Sequence, residues 1–581
     1  MSRTTAPWHA AARPRPGDPT APGQPPHAPD AHRVSPRPAP DWRGPLLQLL
    51  WLRVRRDRLH VPVWVLTIAA LIGLSSLAVE ASFGSAAERE MLVRIAVATP
   101  SLLMLRGVPQ GTDVDALVFF QLFAFLAAAV AFMNTFLAVR HSRAEEESGR
   151  AALVGATTAG RLLPLVATVL HGSAANVLLG GGVWLAFLAV GFAPTGALLS
   201  AAALAATGLA FLAVGLVCAQ LLRTARGANG LAAAVIGLAY VLRAAGDAGG
   251  TASADGLSMR SAWPSWLSPL GWGQQTSPFL TPQPATLLLS VGFASALIGV
   301  VLLLQSARDL DASVLPERGG REHGSARLRG SFGLAWRLQW PSILGWSSAG
   351  LIFGLITGSL GETVANLAES NPVVGGALAS MAPGGQGSLI DRFTAAIFSI
   401  IGVLAAVSAM QAVIRLRQEE TGGAAELLLA MPVRRTRWVL DYLVLGAVAI
   451  ALVLTSAVAG AALGLTRSTD TVDRVASVVV SGLAQLPAAL LMLAIAALLY
   501  AFVPRVSIAL NWSILLGAVF IGQFGGVFGL PDWLRQLSPF THTPVSAAID
   551  ADWAAAAVML SLGAAVFALA GWGAHRRDLA L

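Results

Sequence analysis

The sequence predicts an all-α polytopic membrane protein of about 12 transmembrane helices, arranged as two parallel six-span repeats with both termini cytoplasmic. Three observations carry this prediction. First, the 581 residues are 55% hydrophobic and only 12% charged, about half the charge of a soluble domain. Second, long apolar runs recur, and each approaches or exceeds the ~20 residues that cross a bilayer core. Third, a charged segment occurs twice, at the same place in each half.

The spans fall near 62–80, 116–139, 163–191, 198–222, 229–246 and 285–304 in the first half. In the second they fall near 343–360, 393–414, 438–465, 475–503, 506–529 and 554–574. Residues 1–43 are rich in Pro, Ala, Arg and His without apolar periodicity, and read as a disordered cytoplasmic tail. The first half then covers 44–310, a cytoplasmic linker 311–336, and the second half 337–581. Residues 44–59 alternate leucines with arginines, the pattern of an amphipathic helix lying in the membrane interface. Orientation follows from the arginines. With the N-terminus inside, 30 of the 39 fall in inside segments, as the positive-inside rule requires. Setting aside those before the first span still leaves 20 against 9.

All 39 basic residues are arginine, and the chain contains no lysine. A P-loop needs lysine for its phosphates, so ATP is not expected on a Walker A loop of this chain, and no bound cofactor is expected either. The lone Cys218 sits in an apolar run and reads as packing. No Cys/His spacing suggests a metal site. The net charge of +8 would suit nucleic acid, but the arginines flank spans, where topology explains them; no nucleic-acid partner is expected.

The repeat is the most informative feature. RAEEESGRAALVGATTAGR (143–161) follows the second span, and RQEETGGAAELLLAMPVRR (417–435) follows the eighth. At an offset of 274 without gaps, Arg143 meets Arg417, Glu145 and Glu146 meet Glu419 and Glu420, and Arg161 meets Arg435. Gly149 meets Gly423 in this register and Gly422 in a register shifted by one. Ala151, Leu153 and Ala156 meet Ala425, Leu427 and Ala430. A second correspondence joins WLSPL (266–270) to LSPF (537–540), each in an external loop before the last span of its half. Matching elements in the same order and topology imply parallel repeats. Each charged segment reads as a short cytoplasmic surface helix. Inside-positive topology asks for Arg but not for a repeated Glu pair, so a docking surface for a soluble partner accounts for it better than a solvated loop.

The pattern R-x-E-E-x-x-G with a basic end resembles the coupling segment between the second and third spans of type-2 ABC exporter permeases. EETGGAAELLLAMPVRR, with Pro432 and Arg435, is the closer copy. The six-plus-six layout, WLSPLGWGQQ (266–275) and RAAGD (243–247) look like the tandem branch of polyketide-antibiotic exporters that includes the tetronasin type. The first copy departs from the pattern, with Thr157 and Thr158 in place of Met431 and Pro432. The resemblance implies a permease subunit, not an enzyme, in a bacterial inner membrane. A separately encoded ABC ATPase would dock as a dimer, carry the ATP, and act through Glu145, Glu146, Glu419 and Glu420.

The alternative is an ion-coupled secondary drug transporter. Such proteins carry ionisable groups deep in their spans, and no Asp or Glu lies near the middle of any proposed span. Asn134, His171, Gln411 and Asn511 are the polar candidates for a substrate path; a histidine in a span is more often an interhelical hydrogen-bonding group than a proton carrier. A membrane enzyme would need clustered acids at one face, whereas Asp113, Asp115, Asp247 and Asp255 are scattered. With few internal charges, the cargo expected is a hydrophobic or amphipathic small molecule, antibiotic-like or lipid-like.

Overall fold

The protein is an all-α polytopic membrane protein. A computed structural model describes residues 43–155, 157, 160, 162–307, 313–315, 330–370, 389–465, 471–524, 531–544 and 553–576. Residues 1–42 of the proposed tail, Arg161 and most of the proposed linker lie outside the described residues, and Arg43 already belongs to the first helix. Eleven helices among the described residues are long and apolar enough to cross a membrane. Within lipid the backbone must satisfy its own hydrogen bonds, and the helix does so span by span.

In the first half, α1 (Arg43–Arg56) precedes the span α2 (His60–Ser82). Two short helices, α3 (Ala86–Ala98) and α4 (Pro100–Arg106), lead to the span α5 (Val114–Arg140). The charged segment forms α6 (Arg143–Glu147) and α7 (Arg150–Gly155), before spans α8 (Leu163–Ala189), α9 (Pro194–Leu221) and α10 (Ala225–Ala248). A two-stranded hairpin, β1 (Thr251–Ala252) with β2 (Met259–Arg260), and α11 (Pro269–Gln274) precede the span α12 (Leu287–Ala307). The second half contains α13 (Ser331–Ser370), α14 (Leu389–Thr421), α15 (Ala424–Leu429) and α16 (Arg435–Gly464). It continues through α17 (Thr471–Leu483), α18 (Leu486–Phe502), α19 (Ser507–Val519), α20 (Asp532–Arg535) and α21 (Ala554–Arg576).

Three expectations shift. The seventh span is not short. Its helix begins at Ser331 and runs to Ser370, and the glycines that weaken its hydropathy are packing positions within it. The tenth span is two stacked helices, α17 and α18, with Pro487 in the first turn of the second, where a missing N–H costs nothing. The eleventh is the one proposed span that falls short: its described apolar helix covers only Ser507–Gly522, leaving α-geometry for a π turn at Phe520–Phe524. Residues 525–529 of that proposed span lie outside the described residues.

Each half has its own large hydrophobic core. One gathers Ile72, Phe120, Val130 and Phe211; the other gathers Phe398, Leu445, Tyr442 and Leu493. A small cluster of Leu360 and Phe393 meets Leu102 of the first half. The helices α5, α9 and α14 are mostly buried by other helices, whereas α2, α12 and α21 expose most of their apolar surface, as spans facing lipid do.

The tightest helix crossing is α13 against α16. Gly350, Gly354 and Gly358, four residues apart on α13, lie against the backbone of Val453, Ala457 and Ala461. In return Gly460 and Gly464 of α16 lie against the backbone at Leu351 and Leu355. Small residues spaced by four let two helices meet backbone to backbone in lipid. A Cβ at Gly354 would collide with the Ala457 carbonyl, while Gly345, earlier on the same helix, has open space. Gly354→Leu is expected to cost at least about 1–3 kcal/mol through overpacking, with a lower melting temperature in detergent; Gly345→Leu is expected to leave it unchanged.

Candidate functional site

The repeated charged segments meet the structure as two local constructions of the same kind. In the first, Arg143 is fully buried, and its Nη1 bonds Glu146 Oε2 at 2.7 Å. The same guanidinium donates through Nε and Nη2 to the Ala219 carbonyl near the end of α9, at 2.8 and 2.5 Å. In the second, Arg417 Nη1 meets Glu420 Oε2 at 3.1 Å, and both side chains are buried. Gly149 and Gly423 then each adopt φ 74°, the left-handed region open to glycine. This equality selects the ungapped register, pairing Gly149 with Gly423; Gly422 instead continues the helical turn by donating to the Gln418 carbonyl at 2.9 Å.

The Glu pairs are therefore not simple solvent-facing docking groups. Glu146, Glu419 and Glu420 are largely buried, held against Arg143, Arg415 and Arg417. A carboxylate withdrawn from water beside an arginine is far better placed there than alone. Glu145 stays more open and joins Arg56 of α1 and Arg150 of α7. In the second copy the Glu pair ends the long helix α14, and the following short helix α15 begins after Gly423. Pro432 follows α15, and Arg435 opens α16.

Among the groups presented outward, beside charged ones such as Glu147, Arg150 and Glu426, are large apolar side chains. Leu153 on α7 is 73% exposed and Leu427 on α15 is 78% exposed, and they occupy matching positions in the ungapped register. Met431 is also exposed. A large apolar side chain is thus held outward beside arginines twice, at one register.

The Ser-Pro motifs also match in detail. Ser268 Oγ donates to the Ala239 carbonyl of α10 at 2.7 Å, and Ser538 Oγ donates to the Ala518 carbonyl of α19 at 2.7 Å. Each serine also caps the amide two residues on, Leu270 or Phe540. RAAGD and WLSPLGWGQQ come together here. Arg243 and Asp247 form a buried pair at 3.0 Å, and Gln274 Nε2 reaches the same Asp247 oxygen at 3.3 Å. Arg243 also donates to the Met104 carbonyl at 2.7 Å.

The polar substrate-path candidates sit in packing contacts within their own halves. Asn134 of α5 and Asn176 of α8 exchange amide hydrogen bonds at 3.0 and 2.6 Å, both buried. Gln411 Oε1 accepts from Ser342 at 2.7 Å and from Trp346 at 3.0 Å. Asn511 is buried on α19.

His171 belongs to a cluster that sequence spacing hides. Both His171 and His141 direct Nε2 at one oxygen of Asp57, at 3.0 and 2.6 Å. Arg140 Nη1 approaches the other oxygen at 3.3 Å. Thr168 donates to the His141 carbonyl, and Arg53 Nη2 donates to the Pro164 carbonyl at 2.7 Å. Among the described residues these three are the group able to offer a metal ion ligand atoms, all within 4.8 Å of one another. As arranged, the ionised carboxylate is an acceptor for two imidazole N–H groups, and the cluster fastens the α1–α2 junction to α5 and α8. Burial works against the Asp57 charge, but the hydrogen bonds from His141 and His171 and the nearby Arg140 hold its carboxyl well below the usual range. Burial also lowers the Arg53 guanidinium to about 10, with Asp57 opposing.

A depressed carboxyl contributes stability above its unfolded pKa of about 3.9, and loses it as pH falls toward the folded value. Asp57→Asn is accordingly expected to cost roughly 2–3 kcal/mol at pH 7. In melting curves the gap between the two proteins should narrow steadily below pH ~4; a gap constant with pH would contradict the charge-based account.

Residues 328–576 match the family model described as the C-terminal domain of the multidrug efflux system permease Rv1217c. Over 538 residues the chain is 34% identical to the multidrug efflux system permease protein Rv1217c of Mycobacterium tuberculosis (strain ATCC 25618 / H37Rv). That alignment spans 92% of this chain and 95% of the relative.

Proposed function

Since the chain belongs to the family of multidrug efflux system permeases represented by Rv1217c, we propose that it is the membrane subunit of an ATP-driven exporter of hydrophobic or amphipathic small molecules. It spans the membrane many times and acts as a transport subunit rather than an enzyme. In this reading it is a type-2 ABC permease of the tandem, antibiotic-exporting branch, whose two six-span halves form one translocation unit. A separately encoded ATPase dimer supplies ATP turnover and docks on α6–α7 and α15.

The observation that carries the proposal is the matched construction at offset 274: a buried Arg–Glu bracket, a glycine at φ 74°, and an outward leucine. In the first copy the bracket ties α6 to the end of α9 through the Ala219 carbonyl, and in the second it braces the end of α14, from which α15 departs. The leucine is then free to fill a pocket on a partner, and burying one is worth roughly 1.5–3 kcal/mol. The absence of lysine agrees with nucleotide binding on another chain. Ion coupling is less well supported, because Asn134, Gln411 and His171 are engaged in hydrogen bonds inside their own halves.

The test is co-purification with a candidate ABC ATPase from the same organism, and its turnover in reconstituted vesicles. Leu153→Asp and Leu427→Asp change exposed positions without touching the brackets. Each is expected to weaken complex formation by about tenfold or more and to reduce drug-stimulated ATP hydrolysis, with the fold intact. Transport in vesicles without ATP, collapsed by an uncoupler, would instead establish ion coupling and overturn the proposal.

A further inference from the structure

A cavity of about 750 Å³ opens beside the Asp57 cluster, between α1, α7, the start of α8 and the ends of α9 and α12. That is the size of a small-molecule site. Its walls are mainly apolar, with Leu49, Leu52, Val154 and Leu165 among them. Two buried polar atoms of its lining residues have no hydrogen-bond partner, Arg53 Nη1 and Gln220 Oε1. Arg53 is only 7% exposed, and its Nη2 is fixed on the Pro164 carbonyl. One end of a positioned guanidinium is thus left unmet beside hydrocarbon, where an unpaired donor is costly.

The charge around it is unbalanced. Arg53, Arg55, Arg56 and Arg150 line the cavity, with Glu145 and Glu146 the carboxylates among its described lining residues and Asp57, held by His141, His171 and Arg140, behind Arg53. Both glutamates are already engaged, Glu145 by Arg56 and Arg150, and Glu146 by Arg143. The position is also informative. α1 exposes Leu47, Trp51, Leu52 and Val54, and Arg55 lies over the Trp51 ring at 5.2 Å. This is how an interfacial helix sits among headgroups, and basic pockets between spans at that depth take acidic heads.

We propose that this cavity binds an amphipathic anion, its phosphate or carboxylate head on Arg53 and its apolar body along Leu49, Val154 and Leu165. Gln220 Oε1 accepts from a hydroxyl on the ligand. The head chemistry is shared by two sources, an anionic phospholipid of the surrounding leaflet and a free single-chain anion. The site lies inside the first half, apart from the space between the halves, and its occupancy requires no ATPase.

The full chain in phosphatidylcholine nanodiscs, with and without phosphatidylglycerol, distinguishes the sources when retained lipid is counted by native mass spectrometry. Labelled dodecanoate is compared with dodecanol by equilibrium dialysis on the chain in discs of phosphatidylcholine alone, with empty discs as the blank. One tightly retained anion per chain is expected, preferred over its neutral analogue by about tenfold. Retention of phosphatidylglycerol alone assigns the site to lipid, and binding of dodecanoate alone assigns it to a free anion; either supports the proposal. Arg53→Gln should remove the preference and Arg53→Lys should restore most of it. Val154→Trp, which fills the cavity from a partly exposed helix position, should abolish binding even if Arg53→Gln fails to fold. Equal binding of anionic and neutral probes, or unchanged binding in folded Val154→Trp, would overturn it.

Discussion

A charge set at the edge of a membrane has to be answered by an opposite one, and the molecule is organised around that requirement. Water is too scarce there to solvate a lone guanidinium, and hydrocarbon cannot. Arg143 with Glu146, Arg417 with Glu420, Arg243 with Asp247, and Arg140 with Asp57 are four answers to the same problem. Each pair also fixes geometry. The first two set where a short surface helix leaves its span, the third closes the opposite face, and the fourth fastens the interfacial helix. The surface segments thus rest on electrostatics one layer beneath them: Leu153 and Leu427 point outward while Glu146, Glu419 and Glu420 are held inward by arginines.

Between these charged layers the chain relies on close approach. Hydrophobic burial cannot drive one apolar helix onto another within lipid, so packing must come from backbone contact and interhelical hydrogen bonds. The glycines of α13 supply the first. The Asn134–Asn176 exchange supplies the second, with Gly208 leaving room for both amides. The serines of the two Ser-Pro loops combine the two devices, each inserting a hydroxyl onto a carbonyl of the preceding long helix.

Much of this was legible in the sequence. Hydropathy located the spans because burial in lipid leaves a length signature, and eleven of the expected twelve are long apolar helices among the described residues. The recurring RxEExxG segments located the two buried Arg–Glu brackets, because charge placement there is constrained. What could not be read was orientation about a helix axis. Glu419 and Glu420 look like surface groups in one dimension, and only the turn of α14 carries them inward. Gly350, Gly354 and Gly358 lowered the apparent quality of a span that their spacing strengthens. Asp57, His141 and His171 are separated by 84 and 114 residues from the aspartate to each histidine, so no spacing rule unites them. One signal was present: Asp57 is a lone acid among Arg53, Arg55, Arg56 and Arg58, a position that inside-positive topology does not ask for.

The Asp57 cluster has no counterpart at the matching positions of the second copy, where Ser331, Arg415 and Leu445 stand instead. In a permease assembled from two identical chains, any substitution appears on both sides of the symmetry axis at once. On the proposed tandem reading, linking the copies into one polypeptide lifts that restriction. One side can carry a buried imidazole–carboxylate knot whose residues the other does not repeat at the matching positions. A fused permease is thereby free to specialise its sides, so that a two-sided machine can hold a different tool in each hand.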